Sequence, residues 1–64
     1  MTPDRARELL KVQADFGGPY NRHSAKLILD EVTREHGQKT ADALIVELKL
    51  NEIFDFEVAD KGQP

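Results

Sequence analysis

VELKLNEIFDFEV, residues 46–58, carries two incompatible periodicities, and the fold turns on which one prevails. Read with period two, and with a loop at Asn51-Glu52-Ile53, Leu50 faces Phe54, Leu48 faces Phe56 and Val46 faces Val58, a self-consistent hairpin register. Read with the helical period, Leu48 continues a stripe begun by Ala41, Leu44 and Ile45. Two features favour the helix. The hairpin loop has no glycine for its positive-φ position. The residues leading in, Thr40-Ala41-Asp42-Ala43-Leu44, begin as a helix, and Leu and Lys extend one readily. The sequence therefore predicts helix from near Thr40 to about Leu50, then a short turn holding Ile53 and Phe54 with Asn51 as its cap. The alternative is an α+β fold with a C-terminal β-hairpin at 46–58.

The same stretch raises a packing problem. Ala43, Val46 and Leu50 form a second apolar stripe beside the first. A helix that is apolar on two sides needs two surfaces to pack against.

Upstream, the pattern is helical throughout. Thr2-Pro3-Asp4 is a helix start: an oxygen that accepts from an orphan N–H, a proline at the first helical position, and a carboxylate at the positive end of the dipole. Ala6, Leu9, Leu10 and Phe16 fall near one face, and Gly17-Gly18-Pro19 ends the segment. Ala25, Ile28, Leu29 and Val32 then mark a second helix, with Asn21 or Ser24 as its cap and Gly37 as its stop. The predicted architecture is all-α: three helices and a short C-terminal turn. The core is expected at Leu9, Ile28, Leu29, Leu44, Ile45 and Leu48.

A chain of 64 residues is one domain at most, and a core of that size is marginal for a monomer. The domain is expected over 1–58. Residues 59–64, ADKGQP, have no apolar anchor and are expected to be mobile. Without cysteine, no disulfide or thiolate metal site supplements the core. The opening MTPDRARELL is charged from Asp4 onward and contains no run of signal-peptide or membrane-span length, so a soluble cytoplasmic protein is expected. The overall pattern is similar to that of small bacterial proteins, with no residue-level motif behind the likeness.

The net charge of −3 argues against a general polyanion binder. It is unevenly spread: residues 1–39 carry seven Lys/Arg and six Asp/Glu, a net of +1, and residues 40–64 carry two and six, a net of −4. An anion site therefore belongs in the first two thirds. DFGGPYNRH, residues 15–23, is the place for one, with Arg22, His23 and Lys26 expected near the first free N–H groups of the second helix. The plainer reading is an interhelical corner with Tyr20 covering the core edge. It is not a P-loop, since it lacks the Gly-Lys-Ser/Thr ending and a preceding strand.

Other chemistry is poorly supported. A helix-turn-helix reading of residues 27–48 presents Asp42 and Glu47 among aliphatic residues where base-reading groups are needed. Nucleic-acid contact through Arg5, Arg7, Lys11, Arg22 and Lys26 is the runner-up reading. No nucleophile–base pair is suggested, and His23 and His36 sit at opposite ends of one helix, about 20 Å apart at about 1.5 Å per residue. Glu31 and Glu35 read as a solvated face, and His36 as a dipole partner at a helix end. No enzyme, cofactor or metal is expected. The apolar surplus is the strongest functional signal. Val12, Leu27, Val46 and Leu50 lie off the main stripes, and Phe54 and Phe56 follow. The expectation is a protein–protein interaction or regulatory module, with a partner or homodimer interface at Val46, Leu50, Phe54 and Phe56.

Overall fold

The computed structural model describes residues 1–56. Expectations that fall beyond Phe56, namely the end of the domain at 58, the Val58 position of the hairpin register and the unanchored tail at 59–64, lie outside the described residues. Within them the protein is all-α: α1 (Pro3–Phe16), α2 (Gly18–His36), α3 (Gln38–Glu47) and the single turn α4 (Leu50–Ile53). No strand forms among the described residues, so the hairpin alternative falls. Helix α2 is the central element, with α1 and α3 packed on it.

The helix starts and stops follow the chain's punctuation. Thr2 caps α1, its Oγ1 accepting from the Arg5 N–H at 3.1 Å. Gly17 (φ 69°) ends α1, and its N–H reaches back to the Gln13 carbonyl. It also serves as N-cap of α2, which begins at Gly18. No side chain caps α2, and Asn21 instead donates from its amide to the Gly17 carbonyl at 2.7 Å. Gly37 (φ 94°) plays the same double part between α2 and α3. These positive-φ glycine conformations let each corner turn within one or two residues.

The double stripe on the third helix is resolved by breaking the helix. At about 100° per residue, Leu50 lies roughly half a turn from the midpoint of the Ala41–Leu44–Ile45–Leu48 stripe. A continuous helix to Leu50 would leave that side chain facing away from the core. Instead α3 stops at Glu47, and Lys49 adopts the left-handed conformation (φ 58°, ψ 34°). The chain swings back, so that Leu50 is fully buried and Phe54 is 4% exposed. The predicted helix to about Leu50 is thus corrected to two helices with a hinge at Leu48–Lys49. A left-handed non-glycine residue costs about 1 kcal/mol or more, less than burying a leucine and a phenylalanine returns.

The core consists of Ala6 and Leu10 from α1, Ala25, Leu29 and Val32 from α2, Ala41, Leu44 and Ile45 from α3, then Leu50 and Phe54. Ile28 and Leu48 are half-buried against it. Leu9, expected in the core, is half-buried as well, because its neighbour Leu10 takes the central position on α1.

Candidate functional site

Two places combine unusual exposure or polarity with defined geometry: the C-terminal hook with the cleft beside it, and the α1–α2 corner.

The hook is latched by Arg22. This residue is not at the start of α2 but a full turn inside it, because α2 begins at Gly18. Its Nε donates to the Phe54 carbonyl at 2.8 Å. Its guanidinium carbon lies 4.8 Å from the centre of the Phe56 ring, within cation–π range. Phe54 and Phe56 meet edge to face, with ring centres 5.9 Å apart at 71°. Beside the latch, α2 and α3 leave a cleft of about 230 Å³, lined by Arg22, Lys26, Leu29, Asp30, Ile45 and Phe56 among others.

The structure therefore brings Arg22 and Lys26 together at one cleft and leaves His23 out. His23 is exposed and makes no polar contact with another described residue. The helix-start premise of the anion site is corrected by the position of Gly18. Lys26 is ion-paired with Asp30 at 3.0 Å, and Arg22 is committed to the hook. The cleft is smaller than the roughly 300–1,000 Å³ of ordinary ligand pockets.

The expected interface patch is also split. Leu50 and Phe54 belong to the chain's own core, Phe56 is half-buried under Arg22, and Val46 alone of the four is open, at 59% exposure. The physical reason is the hinge at Lys49, which rotates Leu50 and Phe54 away from the Val46 side.

The corner differs from expectation in the opposite direction. Phe16 and Tyr20 do not cover the core edge. They are 78% and 81% exposed, the most exposed of the large apolar residues described. Val12, one turn before Phe16, and Leu27, two turns after Tyr20, are exposed too. Sequence reasoning missed Phe16 by placing it on the α1 core face. The signal available was its position beside Gly17, at the open end of the helix.

A third cluster ties α1 to the far end of α2. The Met1 amino group donates to Glu31 at 3.2 Å and to Glu35, and His36 donates from Nε2 to the Met1 carbonyl at 2.7 Å. Glu31 and Glu35 stay open to solvent, as expected, and are engaged by the amine as well. The hydrogen bonds to Glu35 and Glu31 hold the amine above its ordinary 8.0, and the bond from the amine holds Glu35 below its ordinary 4.5. Arg7 bridges α1 to α3, reaching Glu47 at 2.7 Å and Asp4 at 2.6 Å. Arg5 pairs with Glu8.

The hydroxyls of Thr2, Thr33 and Thr40 serve the backbone: Thr2 accepts from the Arg5 N–H, while Thr33 and Thr40 donate to the Leu29 and His36 carbonyls. No group of three or more His, Asp or Glu side chains converges for a metal among the described residues. No helix among them is long and apolar enough to cross a membrane. Compared with protein-family models, with curated proteins and with solved structures, the chain finds no match.

Proposed function

We propose that this domain is a non-enzymatic protein–protein interaction module of the cytoplasm, and that the α1–α2 corner is its contact surface. The observation that carries the reading is the pair Phe16 and Tyr20, standing in water on either side of Gly17-Gly18. Each ring left exposed forgoes about 1.5–3 kcal/mol of burial. Both are mounted on a corner held by the Gly17 N–H bond to Gln13 and the Asn21 bond to Gly17. Aromatic anchors on a rigid support bind at low ordering cost, and such residues carry a disproportionate share of interface energy. The partner of matching chemistry is a protein surface with an apolar pocket.

The test compares wild type with the double variant Phe16→Ser, Tyr20→Ser as bait in the native cytoplasm, with intact-mass measurement of the complexes. The expected result is a partner of defined mass held by wild type and lost from the double variant, with the melting temperature unchanged. Equal retention by the double variant overturns the reading. The runner-up, a nucleic-acid-associated regulator, has less behind it, because Arg5, Arg7 and Lys26 each have a carboxylate partner. Salt-dependent retention on DNA would favour it.

A further inference from the structure

The exposed rings of the corner continue along both helices as one apolar face. At about 100° per residue, Leu9, Val12 and Phe16 fall within about 60° of one another on α1, at spacings of three and four. Arg7, which reaches Glu47 on α3, lies on the other side of that helix. On α2, Tyr20, His23, Leu27 and Arg34 fall within a similar arc, roughly opposite the core residues Ala25, Leu29 and Val32. That arc adjoins Glu31 and Glu35, which hold the Met1 amine, and lies away from Arg22 and Thr33, which line the cleft to α3. The two stripes therefore border the α1–α2 seam on its side away from α3, with Phe16 and Tyr20 at the closed end. Leu9 is half-buried, while Val12, Phe16, Tyr20 and Leu27 are exposed, a patch of several hundred Å².

The charge around this face is one-sided. Its neighbouring carboxylates are taken: Glu8 by Arg5, Asp30 by Lys26, Glu31 and Glu35 by the Met1 amine. Arg34 and His23 make no hydrogen bond or ion pair with another described residue. The acidity of the chain lies elsewhere, in residues 40–64 with a net of −4, against +1 for residues 1–39. An extended peptide needs a sheet edge to pair with, and none forms among the described residues. Anchors at helical spacing on two antiparallel helices instead fit a third helix laid along their seam. We propose that this face takes an acidic amphipathic helix of a partner protein. Its apolar stripe packs between the Leu9–Phe16 and Tyr20–Leu27 rows, and its carboxylates meet Arg34. Tyr20, Leu27 and Arg34 follow one another at intervals of seven residues, about 10 Å along α2, so a helix beside it meets a contact every second turn. The inference rests on the corner reading and adds the partner's helical form and its charge.

The experiment titrates the full chain with two synthetic peptides and follows its backbone amide shifts. One is an alanine-rich helix with leucines at spacings of three and four, flanked by glutamates. The other carries lysines in place of the glutamates. The glutamate peptide should bind about tenfold more tightly, with shifts concentrated from Leu9 to Leu27. Arg34→Glu should weaken the glutamate peptide about fivefold and leave the lysine peptide no weaker. Leu27→Ser should weaken both about tenfold, and Val46→Ser, on α3, should change neither. Equal affinity for the two peptides, shifts centred on the α2–α3 cleft, or no binding at millimolar peptide overturns the proposal. So does a wild-type dimer in sedimentation equilibrium that Leu27→Ser abolishes, since the occupant is then a second copy. A native partner lost by Phe16→Ser with Tyr20→Ser but kept by both Leu27→Ser and Arg34→Glu overturns this inference and leaves the corner reading standing.

Discussion

Arg22 is the residue whose role changes most between sequence and structure. Among arginines and lysines on a helix it looks like any solvated cation, yet it ties the last described residues to α2 through the Phe54 carbonyl and the Phe56 ring. Arg22→Gln removes both the charge-assisted bond and the ring contact, and should cost about 1–2 kcal/mol in urea unfolding. Arg22→Lys should recover only part of that, since an ammonium lacks the planar fork that bonds and stacks at once. The leucines sort by the same logic. Leu50→Ala empties a fully buried site and should cost about 2–5 kcal/mol. Leu27, 57% exposed on the outer side of α2, should change stability by no more than about 0.5 kcal/mol when cut to alanine.

Among the elements, the hinge between α3 and α4 is where local and tertiary preference disagree. Lys49 adopts positive φ because the burial of Leu50 and Phe54 requires the turn there. Replacing Lys49 with glycine removes the steric cost of that conformation and makes the unfolded chain looser, so the monomer should gain up to about 1 kcal/mol. The denaturant midpoint at micromolar concentration checks it. The α1–α2 corner makes the opposite statement. There the glycines already suit the turn, and the exposed rings beside them contribute little to the fold, so Phe16→Ser with Tyr20→Ser should leave the melting temperature in place.

For the whole molecule, the ends of three helices are tied by charge as well as by packing. The Met1 amine, with its pKa raised, contributes stability fully below its ordinary 8.0, and the contribution fades as pH climbs through the higher folded value. Glu35, with its pKa lowered, contributes fully above its ordinary 4.5, and the contribution fades as pH falls through the lower folded value. The clamp is therefore intact between 4.5 and 8.0. Melting temperatures of wild type and Glu35→Gln across pH should differ most in that window and converge on either side. A constant offset at all pH would show that the carboxylate acts by packing alone.

The sequence by itself determined the all-α class, the corners at Gly17 and Gly37, the Thr2 cap and the inner stripe from Ala25 to Val32. All of these rest on local rules of periodicity, φ preference and capping that neighbours in the chain decide. It also showed that the third helix is apolar on two sides, without saying how that conflict ends. Tertiary structure decided the rest. Leu50 and Phe54 enter the chain's own core, because the space beside Leu44 and Ile45 has to be filled and only a turn at Lys49 brings them there. Phe16 is left outside because Ala6 and Leu10 already define the buried face of α1. Arg22 is held in one place because the returning chain presents a carbonyl and a ring at its height on α2. These outcomes depend on contacts between residues some thirty positions apart in the case of Arg22 and Phe54, and no local pattern encodes such a meeting.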